Sequence, residues 1–270
     1  METTETTTPP GRPAGDAPRV ATTDASKPQG AQALLMPASI LLAGLFIGGA
    51  LIWNNINPGT GGVAGVAGSG EKAAVNIKDV NTESFPFIGK ADAPVTIAFW
   101  SDFQCPFCRA FEVGHEQIPT PPALPQILKD YVDTGKVKIV FKDVVFLSPR
   151  MGTDSLTAVL YGQAVWKLYR EQYFAWRTAM FEAQDEEGGG FGNAASIDKL
   201  NATIAGIDAA KVAADVKANT DAYTKVANAT TAEAQKLGVN ATPSFIIGKQ
   251  LIAGAYPFSE FKSAIDPLIR

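Results

Sequence analysis

Sulfur and imidazole are scarce in this chain: its 270 residues include two cysteines, four methionines and one histidine. So few cysteines exclude a small scaffold held together by several disulfides. The pair that exists, Cys105 and Cys108, would close a very short loop, which stabilises by only ~2 kcal/mol in the chain-entropy model. Such a pair suits chemistry better than architecture. Basic clusters are missing too. With a formal net charge of −4, the chain offers no electrostatic footprint for nucleic acid, and no such partner is expected. No internal repeat is apparent. What remains is an ordinary globular balance, 46% hydrophobic and 19% charged, with room for one large domain or two small ones.

Charge is absent from residues 33–53, ALLMPASILLAGLFIGGALIW, a run of 21 residues. As a helix it spans ~31 Å, close to the ~30 Å hydrocarbon core of a bilayer. Pro37 sits in the first turn, where a missing N–H is tolerated, and Trp53 ends the run where an interfacial anchor belongs. A cleavable signal peptide is the competing reading, but its apolar region usually has ~7–15 residues and no long tail ahead of it. An uncleaved single transmembrane helix is expected. Residues 1–32 ahead of it, rich in Thr, Pro, Ala and Gly, bury too little to offset their ordering entropy and read as a disordered tail. Residues 54–70 are Gly-rich and uncharged, a flexible linker. Arg12, Arg19 and Lys27 precede the anchor, and no Lys or Arg follows until Lys72. The positive-inside rule then puts the N-terminus in the cytoplasm and the folded domain, residues 71–270, on the extracytoplasmic side.

Within that domain, Pro94–Trp100 is a short β-rich apolar run that reads as a buried strand. The cysteines follow it, and residues 106–118 read as a helix stopped by Pro119, Pro121 and Pro122. Val137–Phe146 is a second strand. Residues 153–184 and 196–237 look helical, split by DEEGGGFGN. Ser244–Ile247, a Gly248–Lys249 turn and Leu251–Ala253 make a hairpin. In the last segment Phe258, Phe261, Ile265 and Leu268 fall on one helical face.

A dithiol exchange catalyst needs one thiol of lowered pKa and a second within reach to resolve the mixed disulfide. A strand feeding a helix supplies the first. Cys105 would sit at the helix N-terminus, where orphan N–H groups and the dipole favour a thiolate. Pro106 suits the first helical position, and Cys108 lies about one turn on, shielded from solvent. Blander readings compete. Two cysteines and His115 give at most three metal ligands, although two thiolates would suit Cu(I) delivery. Two buried structural cysteines would leave the flanking Pro unexplained. Cys-x-x-Cys alone is weak, but after a β-run and before a Pro-terminated helix it points to redox chemistry. His115 reads as a surface residue on the solvent side of that helix.

APVTIAFWSDFQCPFCRAFE, followed much later by GVNATPSFIIGKQLIAGAYP and a final helix, resembles the DsbA-like branch of the thioredoxin superfamily from about Phe85 to Arg270. The resemblance implies an α/β thioredoxin-like fold with a helical insertion at about 148–237, acting on thiols of exported proteins. It implies client contacts at Pro106, Phe107, Thr242 and Pro243, with Pro243 as the family's cis-proline. From the residues alone, Thr-Pro before a strand is a turn, with cis a minority outcome. Thr242 matches the position whose backbone pairs with an incoming peptide. The resemblance also implies that the Cys105–Cys108 disulfide serves without a cofactor and is recycled by a membrane redox partner.

Two departures from the family bear on direction. Strongly oxidising members often carry His where Phe107 stands, and an acidic residue is common where Phe99 stands. Oxidase is the expected direction, with a reductase or isomerase of the same fold as the alternative. Without that carboxylate, the resolving thiol's proton goes to water or another group. Asp102 is the nearest acid, and solvation or participation are equally open to it. Trp166, Tyr169, Tyr173, Phe174 and Trp176 could line a client groove, but aromatics at helical spacing are more often core. Asn201, Asn228 and Asn240 fit the N-glycosylation pattern, which is common by chance.

Overall fold

The computed structural model describes residues 75–186 and 189–269. The expected tail, anchor and linker lie outside the described residues. Among those described, no helix is long and apolar enough to cross a membrane.

Five strands, β1 (Phe87–Ile88), β2 (Val95–Ser101), β3 (Val137–Asp143), β4 (Ser244–Ile247) and β5 (Gln250–Ala253), form one sheet in the order β1–β3–β2–β4–β5. β2 runs parallel to β3 and antiparallel to β4, and the two edge strands pair antiparallel. A strand covered on both faces can be apolar at consecutive positions, and β2 is so from Ile97 to Trp100. Ile97 and Phe99 face one layer, with Phe111, Phe245 and Phe261. Ala98 and Trp100 face the other, with Val144, Ala234 and Ile246.

Helix α1 (Pro106–Glu112) leaves the sheet after β2, α2 (Leu124–Ile127) precedes β3, and α8 (Phe258–Ile265) closes the chain. Between β3 and β4 lie α3 (Ser148–Met151), α4 (Asp154–Leu168), α5 (Tyr173–Glu182), α6 (Ala194–Asn201) and α7 (Ala209–Lys236). The arrangement is a thioredoxin-like α/β fold interrupted by a helical insertion. The insertion builds its own core around Ala158, Val165, Tyr173, Trp176 and Met180, and this core includes Phe103, Cys105 and Cys108.

Several elements differ from their sequence-based bounds. Helix α1 ends at Glu112 rather than 118, because Gly114 takes φ +95 and His115 forms an isolated bridge with Ile118. The second strand stops at Asp143, where the chain turns into the insertion. The helical stretch 153–184 breaks at Tyr169. The stretch 196–237 breaks between Asn201 and Asp208, with Gly206 at φ +86 and Asp208 capping α7 through the Lys211 N–H. Leu268 lies in a closing 3-10 turn and is exposed, whereas Phe261 and Ile265 are buried as the pattern requires.

One buried charge joins the layers. Arg177 on α5 is 1% exposed. Its Nη2 lies 2.7 Å from Glu112 Oε1 of α1 and 2.6 Å from Ser101 Oγ of β2, and its Nη1 lies 2.8 Å from Asp143 Oδ1 of β3. Nε also donates to both Glu112 oxygens. Phe99, Phe103, Phe141 and Phe181 surround the guanidinium, with ring centroids 4.6–5.7 Å from Cζ. Burial opposes its charge, but Asp143 and Glu112 more than offset that and raise its pKa. A second tie runs from Lys142 on β3 to Glu233 on α7, at 2.7 Å.

Removing one partner of a buried charge cluster leaves the others uncompensated, at a cost of about 3–5 kcal/mol. Arg177→Met should lose that much in urea unfolding at pH 7. A loss below about 1 kcal/mol would show that the cluster does not hold the insertion to the sheet.

Candidate active site

β2 hands the chain to α1 through the turn Asp102–Cys105. Cys105 is the N-cap, with φ −84 and ψ 118, and Pro106 occupies the first helical turn. The Cys105 carbonyl accepts from the N–H groups of Cys108 (3.0 Å) and Arg109 (3.2 Å), and the Cys105 N–H donates to the Asp102 carbonyl at 3.0 Å. This geometry brings the first N–H groups of the helix, those of Phe107 and Cys108, to the Cys105 sulfur.

The two thiols are electrostatically unequal. Both are free and buried, Cys105 at 6% exposure and Cys108 at 0%. A hydrogen bond from Cys108 pulls the Cys105 pKa below the ordinary thiol value, and burial only partly opposes it. The Thr242 hydroxyl and the N–H groups of Cys108 and Phe107 act in the same direction. Burial pushes Cys108 well above that value, and the neighbouring Cys105 adds to the effect. Cys105 is the better thiolate, and Cys108 the thiol that keeps its proton.

The loop before β4 closes over the pair. The Thr242–Pro243 peptide bond is cis, and the Cys105 thiol donates to the Thr242 carbonyl at 3.3 Å. The Pro243 carbonyl accepts from the Gly254 N–H at 2.8 Å, fixing the loop to the far edge of the hairpin. Pro243 is buried, and Thr242 and Pro106 are half-buried. Phe107 is 52% exposed, beside the cysteines. Thus Cys105, Cys108, Pro106, Phe107, Thr242 and Pro243 come together in space.

Phe99 belongs to the aromatic core, 4.7 Å from Phe245 and 5.0 Å from Phe111 between ring centroids. Of the two fates open to Asp102, solvation is the wrong one: it is 0% exposed. Its carboxylate accepts from the N–H groups of Gln104 and Leu147, each at 3.0 Å. Ser155 faces it from α4 without a well-formed hydrogen bond. Burial raises its pKa to about 6, with a small upward push from Asp143. Glu112 is likewise raised to about 7 by burial, which Arg177 only partly counters. Glu112, Arg177 and Gln184 escape a motif-based reading. The available signal was a charge on an apolar helical face, since Arg177 shares its face with Tyr173 and Met180.

His115 lies beyond the end of α1, half-buried, and its Nδ1 accepts from the Gln117 N–H. Tyr173 and Trp176 are core, while Trp166, Tyr169 and Phe174 are half-buried against it. Trp166 and Tyr173 also line a cavity of about 700 Å³ with Phe141 and Tyr223. Asn201 is fully buried and accepts from Trp176 Nε1 at 2.8 Å, so it is no glycosylation acceptor in the folded chain. Among the described residues, no group of three or more His, Cys, Asp or Glu side chains is placed to hold a metal ion.

The chain is similar to known proteins across this region. A family model described as thioredoxin matches residues 81–267. Disulfide bond formation protein D of Bacillus subtilis is 26% identical over 190 residues, covering 67% of this chain and 75% of that protein. The crystal structure of oxidised BdbD from Bacillus subtilis superposes with a TM-score of 0.58 at 24% identity, over 73% of this chain and 96% of that one. The thiol-disulfide exchange protein alpha-DsbA2 of Wolbachia pipientis gives 0.56 at 26% identity, over 71% and 90%.

Asp102 makes stability depend on pH. Its carboxyl titrates near 3.8 when ordinary and near 6 here, so between those values the folded chain holds a proton that the unfolded chain has lost. Its contribution is therefore fully present below pH 3.8 and declines as pH rises to about 6, by about 3 kcal/mol at ~1.4 kcal/mol per pH unit. Glu112 adds a parallel decline between 4.5 and about 7. Asp102→Asn should flatten the Asp102 share when urea unfolding is measured from pH 4 to 7. An unchanged profile would assign the slope elsewhere.

Proposed function

This chain belongs to the thioredoxin family, and from that premise we propose that it is a membrane-anchored dithiol oxidase passing the Cys105–Cys108 disulfide to exported proteins. Its class is that of the DsbA-like thiol–disulfide oxidoreductases. The observation that carries the reading is the asymmetry of the pair: a stabilised thiolate at Cys105 beside the Thr242 carbonyl, and a buried, protonated Cys108 behind it.

The cycle follows from that asymmetry. A client thiolate attacks the Cys105 sulfur of the disulfide, the Cys105–Cys108 bond breaks, and Cys108 leaves with the electron pair and takes up a proton. A second client thiolate then attacks the client sulfur of the mixed disulfide and expels Cys105 as a thiolate. The client loses two electrons, the protein gains them, and a membrane redox partner removes them again. The Thr242 backbone supplies an edge to which an extended client segment can add as a strand. Phe107 and Pro106 offer apolar contact without charge.

Oxidising power rises as the thiolate of the reduced form is stabilised relative to the disulfide. The helix N-terminus and the Thr242 hydroxyl help Cys105 here, whereas Phe107 adds no charge or ring N–H. A couple between thioredoxin, about −270 mV, and DsbA, about −120 mV, is expected in a glutathione titration. A value at or below that of thioredoxin would favour the reductase reading. Metal analysis after anaerobic purification would reveal a Cu(I) carrier instead.

Two further outcomes test roles and topology. Cys108→Ala should accumulate mixed disulfides with exported clients through Cys105, and Cys105→Ala none; trapping through Cys108 would reverse the assignment. In membranes the protein should retain its N-terminal tail, and protease added outside should remove the catalytic domain. A mature N-terminus after Trp53 would replace the anchor with a cleaved leader.

A further inference from the structure

The thioredoxin part does not hold its catalytic turn unaided. Two carbonyls of the turn matter here: that of Phe103, two residues before Cys105, and that of Cys105 itself. Both carbonyls accept from a single side chain, the amide Nε2 of Gln184, at 2.7 and 3.2 Å. Gln184 is 4% exposed and follows α5, inside the helical insertion. Among the described residues it is the one donor recorded for the Phe103 carbonyl. The Gln184 carbonyl in turn accepts from Arg109 Nη1 on α1 at 2.7 Å. The same loop grips the turn a second time: Gln104 Nε2 donates to the Phe191 carbonyl at 3.0 Å. Gly192 makes room for that contact, since a Cβ there would stand 2.2 Å from Gln104 Nε2, on a backbone of φ +115.

We infer that Gln184 is a positioning residue for the thiol–disulfide reaction, through which the helical insertion sets the reactivity of Cys105. This rests on the proposed oxidoreductase function and adds a residue to it. The reasoning is geometric. The thiolate is favoured by N–H groups of Phe107 and Cys108 that must point at the Cys105 sulfur. Their alignment with the sulfur depends on how the turn from Phe103 to Cys105 enters the helix. Without the Gln184 amide the Cys105 carbonyl keeps the Cys108 and Arg109 N–H groups, but the Phe103 carbonyl loses its donor. A buried carbonyl without a donor costs about 1–3 kcal/mol, so the turn gains by rotating the Phe103–Gln104 peptide unit toward another donor. That rotation shifts the Cys105 sulfur away from the N–H groups. The reduced form loses thiolate stabilisation that the disulfide form never had, and the couple becomes less oxidising. The remote insertion thereby acts on the dithiol without touching either sulfur.

Gln184→Met is the informative variant. It nearly keeps length and volume, leaves the backbone carbonyl for Arg109, and removes the amide whose N–H groups reach the turn. The test measures three quantities on the full chain: the equilibrium constant with glutathione, the Cys105 thiolate titration followed at 240 nm, and thermal unfolding. Asn201→Ala serves as a control, because it breaks the Trp176–Asn201 bond inside the insertion and makes no contact with the turn. Gln184→Met should shift the glutathione equilibrium at least fivefold toward the disulfide and move the thiolate titration upward. Asn201→Ala should lower the melting temperature while leaving both redox measures within twofold of wild type. An unchanged equilibrium in Gln184→Met would overturn the inference. So would an equal shift in Asn201→Ala, which would make the effect one of general destabilisation. A wild-type protein that reaches no equilibrium with glutathione would overturn the oxidoreductase reading itself, and this inference with it.

Discussion

A guanidinium buried among four phenylalanine rings is the constraint on which the rest of the structure depends. Arg177 must keep its charge in a place without water, so partners have to come to it from every element around it. Glu112 comes from α1, Ser101 from β2 and Asp143 from β3. The elements that meet there are those that define the catalytic turn. β2 leads into it, α1 leads out of it, and β3 leaves the sheet for the insertion at the same level. An ion cluster of this kind contributes little net stability against an apolar packing of equal volume. What it supplies is orientation, because charge-assisted hydrogen bonds accept few alternative geometries.

The insertion therefore does more than cover the sheet. Its core is continuous with both cysteines, which removes Cys108 from solvent and raises its pKa by desolvation. The same packing leaves Cys105 at the helix N-terminus, where the dipole and the N–H groups act on the thiolate. Two identical side chains three positions apart thus acquire opposite preferences. Their difference comes from burial on one side and hydrogen-bond donors on the other. Asp102 and Glu112 are two buried acids with raised pKa values, one in the turn before α1 and one at the end of that helix. Phe99, by contrast, is stacked on Phe245 in the aromatic core.

Much of the catalytic arrangement is legible from residues alone, for a physical reason. A nucleophile at a helix N-cap needs a strand before it, a helix after it, and Pro or a similar residue at the first helical position. All three are local, so Cys105, Pro106 and Cys108 declare themselves. Strand β2 does so too, because burial on both faces demands an unbroken apolar run. Helix ends were less legible. Gly114 and Gly206 adopt positive φ and break helices that the periodicity alone would extend, and glycine does not announce which of its conformations it will take.

The sequence by itself determined the chemistry on offer: one close pair of thiols, poor as a staple and well placed for exchange, in a chain without the charge to bind nucleic acid. Tertiary structure decided how that chemistry is tuned. Nothing in the order of residues says that Gln184 reaches the carbonyls of Phe103 and Cys105, that Asp102 holds Leu147 as well as Gln104, or that Arg177 is enclosed. These contacts join positions from 2 to 81 residues apart. Their energies come from desolvation and hydrogen-bond geometry, which exist only once the layers have packed.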